Sequence, residues 1–377
     1  MKKAKLHEIV TCVLFCGFIG IMGLAYLLMP KSQFSELEKR QLEAFPELTW
    51  DTLVSGDFGT NLETYMADHM PGRNFFVGVS AYYDLLFGQQ STKSILVAQG
   101  DRLVEAPLGW DQEKDQAQVE KNMRYINRFA EKLGQNVDLI LVPSAGFILE
   151  DSILGLHNRY QDDVFIDRIY DLAGDGVRCM DLISVYANAP DPQALYYRTD
   201  HHWTSLGAWM AYSSYMQCVN REYARQDFFT VETHSGFRGT TYSRSGLWLT
   251  APDDLQLWYG SPLRVENSTT GTSDSPFYLD RLQEMDMYTV FLDGNQPWVR
   301  IYSENNVGKG KILVIRDSYA NCLGPMLAES YEEVVMIDLR YYHFPASQLM
   351  AQEQFDQILV LYSLYNFMTD SNFPFLN

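Results

Sequence analysis

The spacing of hydrophobic positions changes character several times along this chain. Ile9 to Met29 is an apolar run of 21 residues without a charge. As a helix rising about 1.5 Å per residue it is about 31 Å long, one hydrocarbon core. Residues 57–87 then place apolar positions at helical spacing around a turn, Asp68-His69-Met70-Pro71-Gly72-Arg73. From Ile95 the pattern alternates between strand and helix. Asp115–Leu133 has helical spacing, and Val137–Val142 is a short apolar run closed by Pro143-Ser144, as in a buried parallel strand. A second strand–helix signal spans Gly176–Leu182, and Thr204 caps a helix over Thr204–Val219. Near the C-terminus come strand Lys311–Ile315, helix Tyr319–Ser330, strand Glu333–Ile337, a helix near 345–353 and strand Gln357–Tyr362. Apolar strands separated by helices predict a parallel sheet with crossover helices.

Residues 221–310 differ: they are rich in Thr, Ser, Gly and aromatics, with turns such as Asp293-Gly294-Asn295. They read as a β-rich insertion within one α/β fold. The expected organisation is a basic tail over 1–8, a membrane-spanning segment over 9–29, a juxtamembrane segment over 30–56 and one α/β domain over 57–377.

Composition narrows the class. Apolar residues are 46% and charged residues 20% of 377, enough for a large core and too apolar for wholesale disorder. Acidic residues outnumber basic ones 48 to 29, a net charge of −19, which repels phosphate and excludes nucleic acid as a main partner. Lys2, Lys3 and Lys5 precede the apolar run, so the positive-inside rule places everything after residue 30 outside the membrane. The run exceeds a signal-peptide core and ends Leu27-Leu28-Met29-Pro30 without a small-x-small site. Phe15 before Cys16 fits a lipoprotein cleavage site poorly. The expectation is an uncleaved, single-pass anchor in the cell membrane. Without the first 29 residues, 26 basic and 47 acidic residues remain, net −21, so an anionic membrane surface would not hold the domain. Cys179, Cys218 and Cys322 lie outside the apolar run, unpaired by any CxxC, and allow at most one disulfide.

Two clusters carry chemistry. Tyr197-Arg198-Thr199-Asp200-His201-His202-Trp203-Thr204 holds two of the seven histidines. Arg316-Asp317-Ser318-Tyr319-Ala320-Asn321 follows an apolar strand directly. Ligands of open α/β sheets bind at the carboxyl ends of strands, and a helix following Ser318 would aim N–H groups at a developing oxyanion. A serine hydroxyl needs a base that is itself oriented by a third group, and Asp-x-His supplies such a pair. Plainer readings stand beside these. Asp317-Ser318 suits a helix N-cap. Asp200-His201-His202 suits a hydrogen-bonded loop or a metal site, although no further ligand follows at motif spacing. HExxH, GxSxG, Walker A and GxGxxG are absent.

Asp200-His201-His202-Trp203 with its flanks resembles the DHHW proteins of Gram-positive bacteria, and is similar to the AlgX/AlgJ-like alginate O-acetyltransferases of SGNH type. The resemblance extends through Ser35–Pro46, Asp68–Arg73, Phe291–Ser318 and Asp338-Leu339-Arg340-Tyr341-Tyr342. It implies an SGNH-hydrolase-like parallel sheet flanked by helices, with the Asp/His element before the serine. It further implies Ser318 as nucleophile, His202 as base and Asp200 orienting the base, with His201 and Trp203 beside them. Arg316 stands where a Gly-Asp-Ser motif has glycine. Asn366 and Asn321 are the oxyanion candidates, while Tyr319 and Ser144 adjoin the site.

The resulting expectation is a membrane-anchored extracytoplasmic O-acetyltransferase acting on a cell-surface or secreted polysaccharide. Acetyl would come from a membrane-bound O-acyltransferase (MBOAT) partner, since acyl-CoA is not available outside the cell. The scheme calls for no cofactor and no metal. An esterase at the same triad, and a non-catalytic glycan-binding or assembly protein of the envelope, are the alternatives.

Overall fold

The computed structural model describes residues 6–35, 40–89, 91–111 and 113–377. Lys2, Lys3 and Lys5 of the expected basic tail, and residues 36–39 of the Ser35–Pro46 motif, lie outside the described residues. The chain divides into two compact units, residues 1–89 with 243–248, and residues 90–242 with 249–377.

The first unit opens with α1 (Leu6–Leu28), whose apolar window has none of its surface buried and is long enough to cross a membrane. Strands β1 (Phe34–Ser35) and β2 (Arg40–Gln41) pair antiparallel. Three helices follow: α2 (Trp50–Ser55), α3 (Asp57–Asp68) and α4 (Arg73–Leu86). Thr49 and Thr52 form a reciprocal capping box that starts α2. Gly56, at φ 85°, turns the chain directly from α2 into α3.

The second unit begins with a three-stranded meander, β3 (Ser91–Thr92), β4 (Ile95–Ala98) and β5 (Arg102–Glu105). Then come α5 (Lys114–Leu133), β6 (Val137–Val142), α6 (Ala145–Ile148), α7 (Asp162–Tyr170), β7 (Val177–Met180), α8 (Leu182–Ala187) and α9 (Ser205–Cys218). Gly134 in the left-handed region ends α5, and the Thr204 hydroxyl accepts the Gly207 N–H to start α9. The β-rich stretch holds β8 (Thr230–Phe237), α10 (Thr240–Ser245), β9 (Asp253–Tyr259), β10 (Leu263–Asn267), β11 (Gly271–Ser273) and β12 (Trp298–Ser303). The chain closes with β13 (Lys311–Arg316), α11 (Ala320–Leu327), β14 (Glu333–Ile337), α12 (Ala346–Gln352), β15 (Gln357–Ser363) and α13 (Leu364–Thr369).

One eight-stranded sheet organises this unit, in the order β11-β10-β12-β14-β13-β15-β6-β7. The five strands from β14 to β7 run parallel, which gives the α/β, parallel-centred fold that the resemblance implies. Strands β10 to β12 of the β-rich stretch extend this same sheet antiparallel along β14, while β8 and β9 form a separate two-stranded ladder. Parallel strands covered on both faces are buried throughout, and β6 and β14 are buried at every position. Strands β13, β14 and β15 are consecutive in sequence, yet β13 sits between the other two. The winding reverses at β13, so its carboxyl end is a topological switch point, where α/β sheets open a crevice.

All five cysteines are free thiols, with Cys322 buried in α11. Burial pushes the Cys322 thiol up to about 12.

Candidate active site

Ser318 lies two residues beyond the end of β13, at the switch point. Its Oγ is 2.8 Å from Nε2 of His202. The Nδ1 of His202 is 2.5 Å from Oδ1 of Asp200, and this same oxygen accepts the backbone N–H of His202 at 2.9 Å. All three side chains are buried.

A clip holds the Asp200 loop. The carboxylate of Asp253, at the start of β9, accepts the N–H groups of Arg198 and Thr199 at 2.7 and 2.8 Å and the Thr199 hydroxyl at 2.5 Å. Tyr196 bridges Trp203 across the loop. The other Asp200 oxygen, Oδ2, accepts the N–H of Thr240 at 2.6 Å. Both oxygens of Asp200 are therefore committed to hydrogen bonds that fix the carboxylate. Asp200, His201 and His202 bring metal-ligating atoms within 4.8 Å of one another. The carboxylate in that group is already bonded on each oxygen, so the arrangement matches an oriented acid–base pair better than an open ligand set.

The His202 ring lies stacked on Tyr288, with centroids 3.9 Å apart and planes within 9°. His201 packs 3.9 Å from the same ring. Burial lowers the pKa of His202 below the ordinary histidine value of 6.5, His201 lowers it further, and the Asp200 carboxylate opposes both. The imidazole is therefore neutral near neutral pH, with Nδ1–H directed to Asp200 and the Nε2 lone pair to Ser318.

Trp203 is fully buried and donates its indole N–H to the backbone carbonyl of Tyr319 at 3.0 Å. The Tyr319 hydroxyl donates to the carbonyl of His201. These two bonds tie the Asp200 loop to the Ser318 loop in both directions.

Asp317 is a hub. Its Oδ1 accepts the Tyr319 N–H at 3.0 Å, and its Oδ2 accepts the Ser363 N–H, the Ser363 hydroxyl and the Asn366 amide, each at 2.8 Å. Two expectations change as a result. The N–H groups at the start of α11 are consumed locally, since Ala320 and Asn321 bond back to Asp317 and Ser318 carbonyls at 3.3 and 3.1 Å. The Asn366 amide is directed to Asp317, and the Asn321 amide donates to Oδ1 of Asn295 at 3.1 Å.

Arg316 is fully buried, with Nη1 3.2 Å from Oδ1 of Asn295 and 3.6 Å from Oδ2 of Asp338. Arg340 engages both oxygens of Asp338 at 2.9 and 2.6 Å. Asp338 thus neutralises the guanidinium that occupies the glycine position of the motif. Ser144 stands apart from this network: its hydroxyl caps α6 by accepting the Phe147 N–H at 3.2 Å.

Tyr288, Asn295, Gly239 and Asp253 were not singled out by sequence reasoning. Asn295 alone carried a local signal, as part of the Asp293-Gly294-Asn295 turn. Leu292, Asp293 and Gly294 have φ of 57°, 62° and 77°, three consecutive left-handed residues just before an exposed asparagine.

The family model of the DHHW protein matches residues 178–337, a range that includes Asp200, His202 and Ser318. No curated protein matches the chain in sequence. Among solved structures, a DHHW family protein from Eubacterium siraeum DSM 15702 is similar with a TM-score of 0.64 at 22% identity, over 76% of this chain and 95% of that one. PatB1 of Bacillus cereus with a sulfonyl adduct is similar with a TM-score of 0.61 at 18% identity, over 73% and 95% of the two chains. A second PatB1 structure gives 0.60 at 19% identity, over 74% and 99%. At these identities the likeness is one of fold. Residues 178–337 of this chain are similar to the DHHW protein family.

Proposed function

We propose that this chain is a membrane-anchored, extracytoplasmic O-acetyltransferase that passes an acetyl group through Ser318 to hydroxyls of a polysaccharide. The observation that carries this reading is the continuous hydrogen-bonded line from Asp200 through His202 to Ser318, at 2.5 and 2.8 Å. A silent glycan-binding protein has no need to hold a neutral, buried imidazole on a serine hydroxyl.

In this scheme Ser318 Oγ attacks the acetyl carbonyl of the donor as His202 Nε2 takes its proton, and Asp200 stabilises the imidazolium. Collapse of the tetrahedral adduct breaks the donor's acyl bond, and His202 returns the proton to the leaving group. A glycan hydroxyl then attacks the acetyl-serine ester, giving its proton to His202, which passes it to the departing Ser318 oxygen. An MBOAT partner delivering acetyl across the bilayer, with α1 as the tether, completes the proposal.

Asn295 is the oxyanion donor in this reading. Its carbonyl oxygen is held by Arg316 and Asn321, and no hydrogen bond of its amide nitrogen occurs among the described residues. Held so by its oxygen, the exposed amide is fixed in orientation, and an oxyanion site requires a donor that need not reorganise.

The test is acyl-enzyme trapping. The full-length protein in detergent is treated with an activated acetyl ester, and intact mass and peptide mapping are compared for wild type, Ser318→Ala and His202→Ala. One acetyl group on Ser318, lost in both variants, is expected; glycan oligomers should then discharge it faster than water does. Discharge by water alone would make the protein an esterase, and no adduct on a folded protein would remove Ser318 as nucleophile. PatB1 has been solved with a sulfonyl adduct, so a sulfonyl fluoride is a second probe of the same hydroxyl.

A further inference from the structure

On α4 and its C-cap, Phe76, Val79, Tyr83, Leu86 and Phe87 follow one another at helical spacing and are 42, 44, 58, 81 and 68% exposed. The outward stripe of a helix facing water is normally polar, and this one is apolar except for the exposed Ser80 hydroxyl. The opposite side of the helix already has its partner. A Cβ at Gly78 would stand 2.0 Å from the Trp248 ring, Phe75 stacks on that ring, and Ala81 is buried. Turning the helix inward is therefore not a way to cover the stripe.

What covers it is indicated by the way α4 is tied to α1. The Nε2 of His69, in the turn before α4, is 3.0 Å from the carbonyl of Ser32, four residues beyond the end of α1. The Glu43 N–H donates to Asp68 at 2.9 Å, and Arg73 faces the same carboxylate at 3.9 Å. Four residues span at most about 14 Å, so the start of α4 is held close to where α1 leaves a bilayer. The helix, of 14 residues, is about 21 Å long. It carries only Arg73 and Asp84 as charges, so its attachment is apolar and does not depend on anionic lipid.

We propose that the Phe76–Phe87 face of α4 is embedded in the headgroup–acyl boundary of the membrane that α1 crosses, as a second, in-plane membrane contact. This rests on the reading of α1 as a retained anchor. The contact sets the height and orientation of the first unit at the bilayer surface.

The test places the photo-crosslinking residue p-benzoylphenylalanine singly at Phe18, Asn74, Tyr83 and Phe87 of the full-length chain. The protein is reconstituted in phosphatidylcholine vesicles, irradiated and weighed intact. Lipid adducts at Phe18, Tyr83 and Phe87, and their loss at Asn74 on the other side of α4, are expected. An adduct at Phe18 with none at Tyr83 and Phe87 overturns the proposal and leaves the anchor standing. No adduct at Phe18 removes the anchor and the proposal with it. Equal adducts at Asn74 and Tyr83 overturn it as well. So does a discrete protein–protein product at Tyr83 without lipid, when the experiment is repeated in cell membranes.

Discussion

The backbone of Gly239 forms one wall of the cage around Asp200: a Cβ at residue 239 would stand 2.1 Å from the carboxylate Oδ2 and 2.2 Å from the Asp200 Cβ. Neither atom can yield without moving the carboxylate off His202. Gly239→Ala should therefore lower acetyl transfer towards the level of Asp200→Asn, which by triad precedent loses about 10⁴-fold through the wrong imidazole tautomer. Turnover of an acetyl ester beside a thermal melt checks this. A folded Gly239→Ala protein with wild-type rate would mean that the position of Asp200 is not critical.

The state of His202 sets a pH dependence with a definite sign. The base acts when neutral, and its pKa lies below 6.5 because it is buried beside His201. Activity should be at its plateau at neutral pH and fall as the pH is lowered through that depressed value. His201→Gln removes the second imidazole and should move the acid limb to higher pH, since one of the two lowering influences is gone. A profile of kcat/KM between about pH 4.5 and 8 reads both. An acid limb at or above the ordinary histidine value would contradict the buried-base assignment.

Asparagines separate oxyanion stabilisation from scaffolding. Asn295→Ala should cost about 10²- to 10³-fold in kcat, the usual loss for one oxyanion donor, together with a lower melting temperature, because its Oδ1 accepts from buried Arg316 and Asn321. Asn366→Ala removes a bond to buried Asp317, and should lower stability by about 1–2 kcal/mol while sparing kcat by comparison. The reverse pattern would return the oxyanion role to Asn366.

Asp317 supports the serine from behind. Asp317→Ala removes the acceptor of Tyr319 N–H, Ser363 N–H, the Ser363 hydroxyl and the Asn366 amide. Buried donors left without partners cost about 1–3 kcal/mol each, so a loss of at least about 3 kcal/mol in denaturant unfolding is expected. A change below about 1 kcal/mol would mean that water replaces the carboxylate and that the hub is open to solvent.

The sequence offers two readings of Asp317-Ser318, a helix cap and a nucleophile position, and in the structure the two side chains have different partners. Asp317 accepts the Tyr319 N–H just ahead of α11, while the Ser318 hydroxyl is directed to His202. Local pattern could not divide them, because both are short polar residues at a strand–helix junction. Asn366 and Asn321 illustrate the opposite difficulty. Each has suitable chemistry at a suitable strand end, but where its amide points depends on Asp317 and Asn295, 49 and 26 residues away.

The sequence by itself determined the apolar strands of the parallel sheet, the membrane-length helix, the Thr204 cap and, through resemblance, the set Asp200, His202 and Ser318. Periodicity and capping act between residues a few positions apart, so they are written locally. Only the tertiary structure decided that the β-rich stretch extends the main sheet, that His202 meets Ser318 across 116 residues, that Gly239 and Thr240 hold Asp200, and that Arg316 and Asn321 hold the oxygen of Asn295. These are consequences of strand order and close backbone approach, through-space relationships that no spacing along the chain encodes.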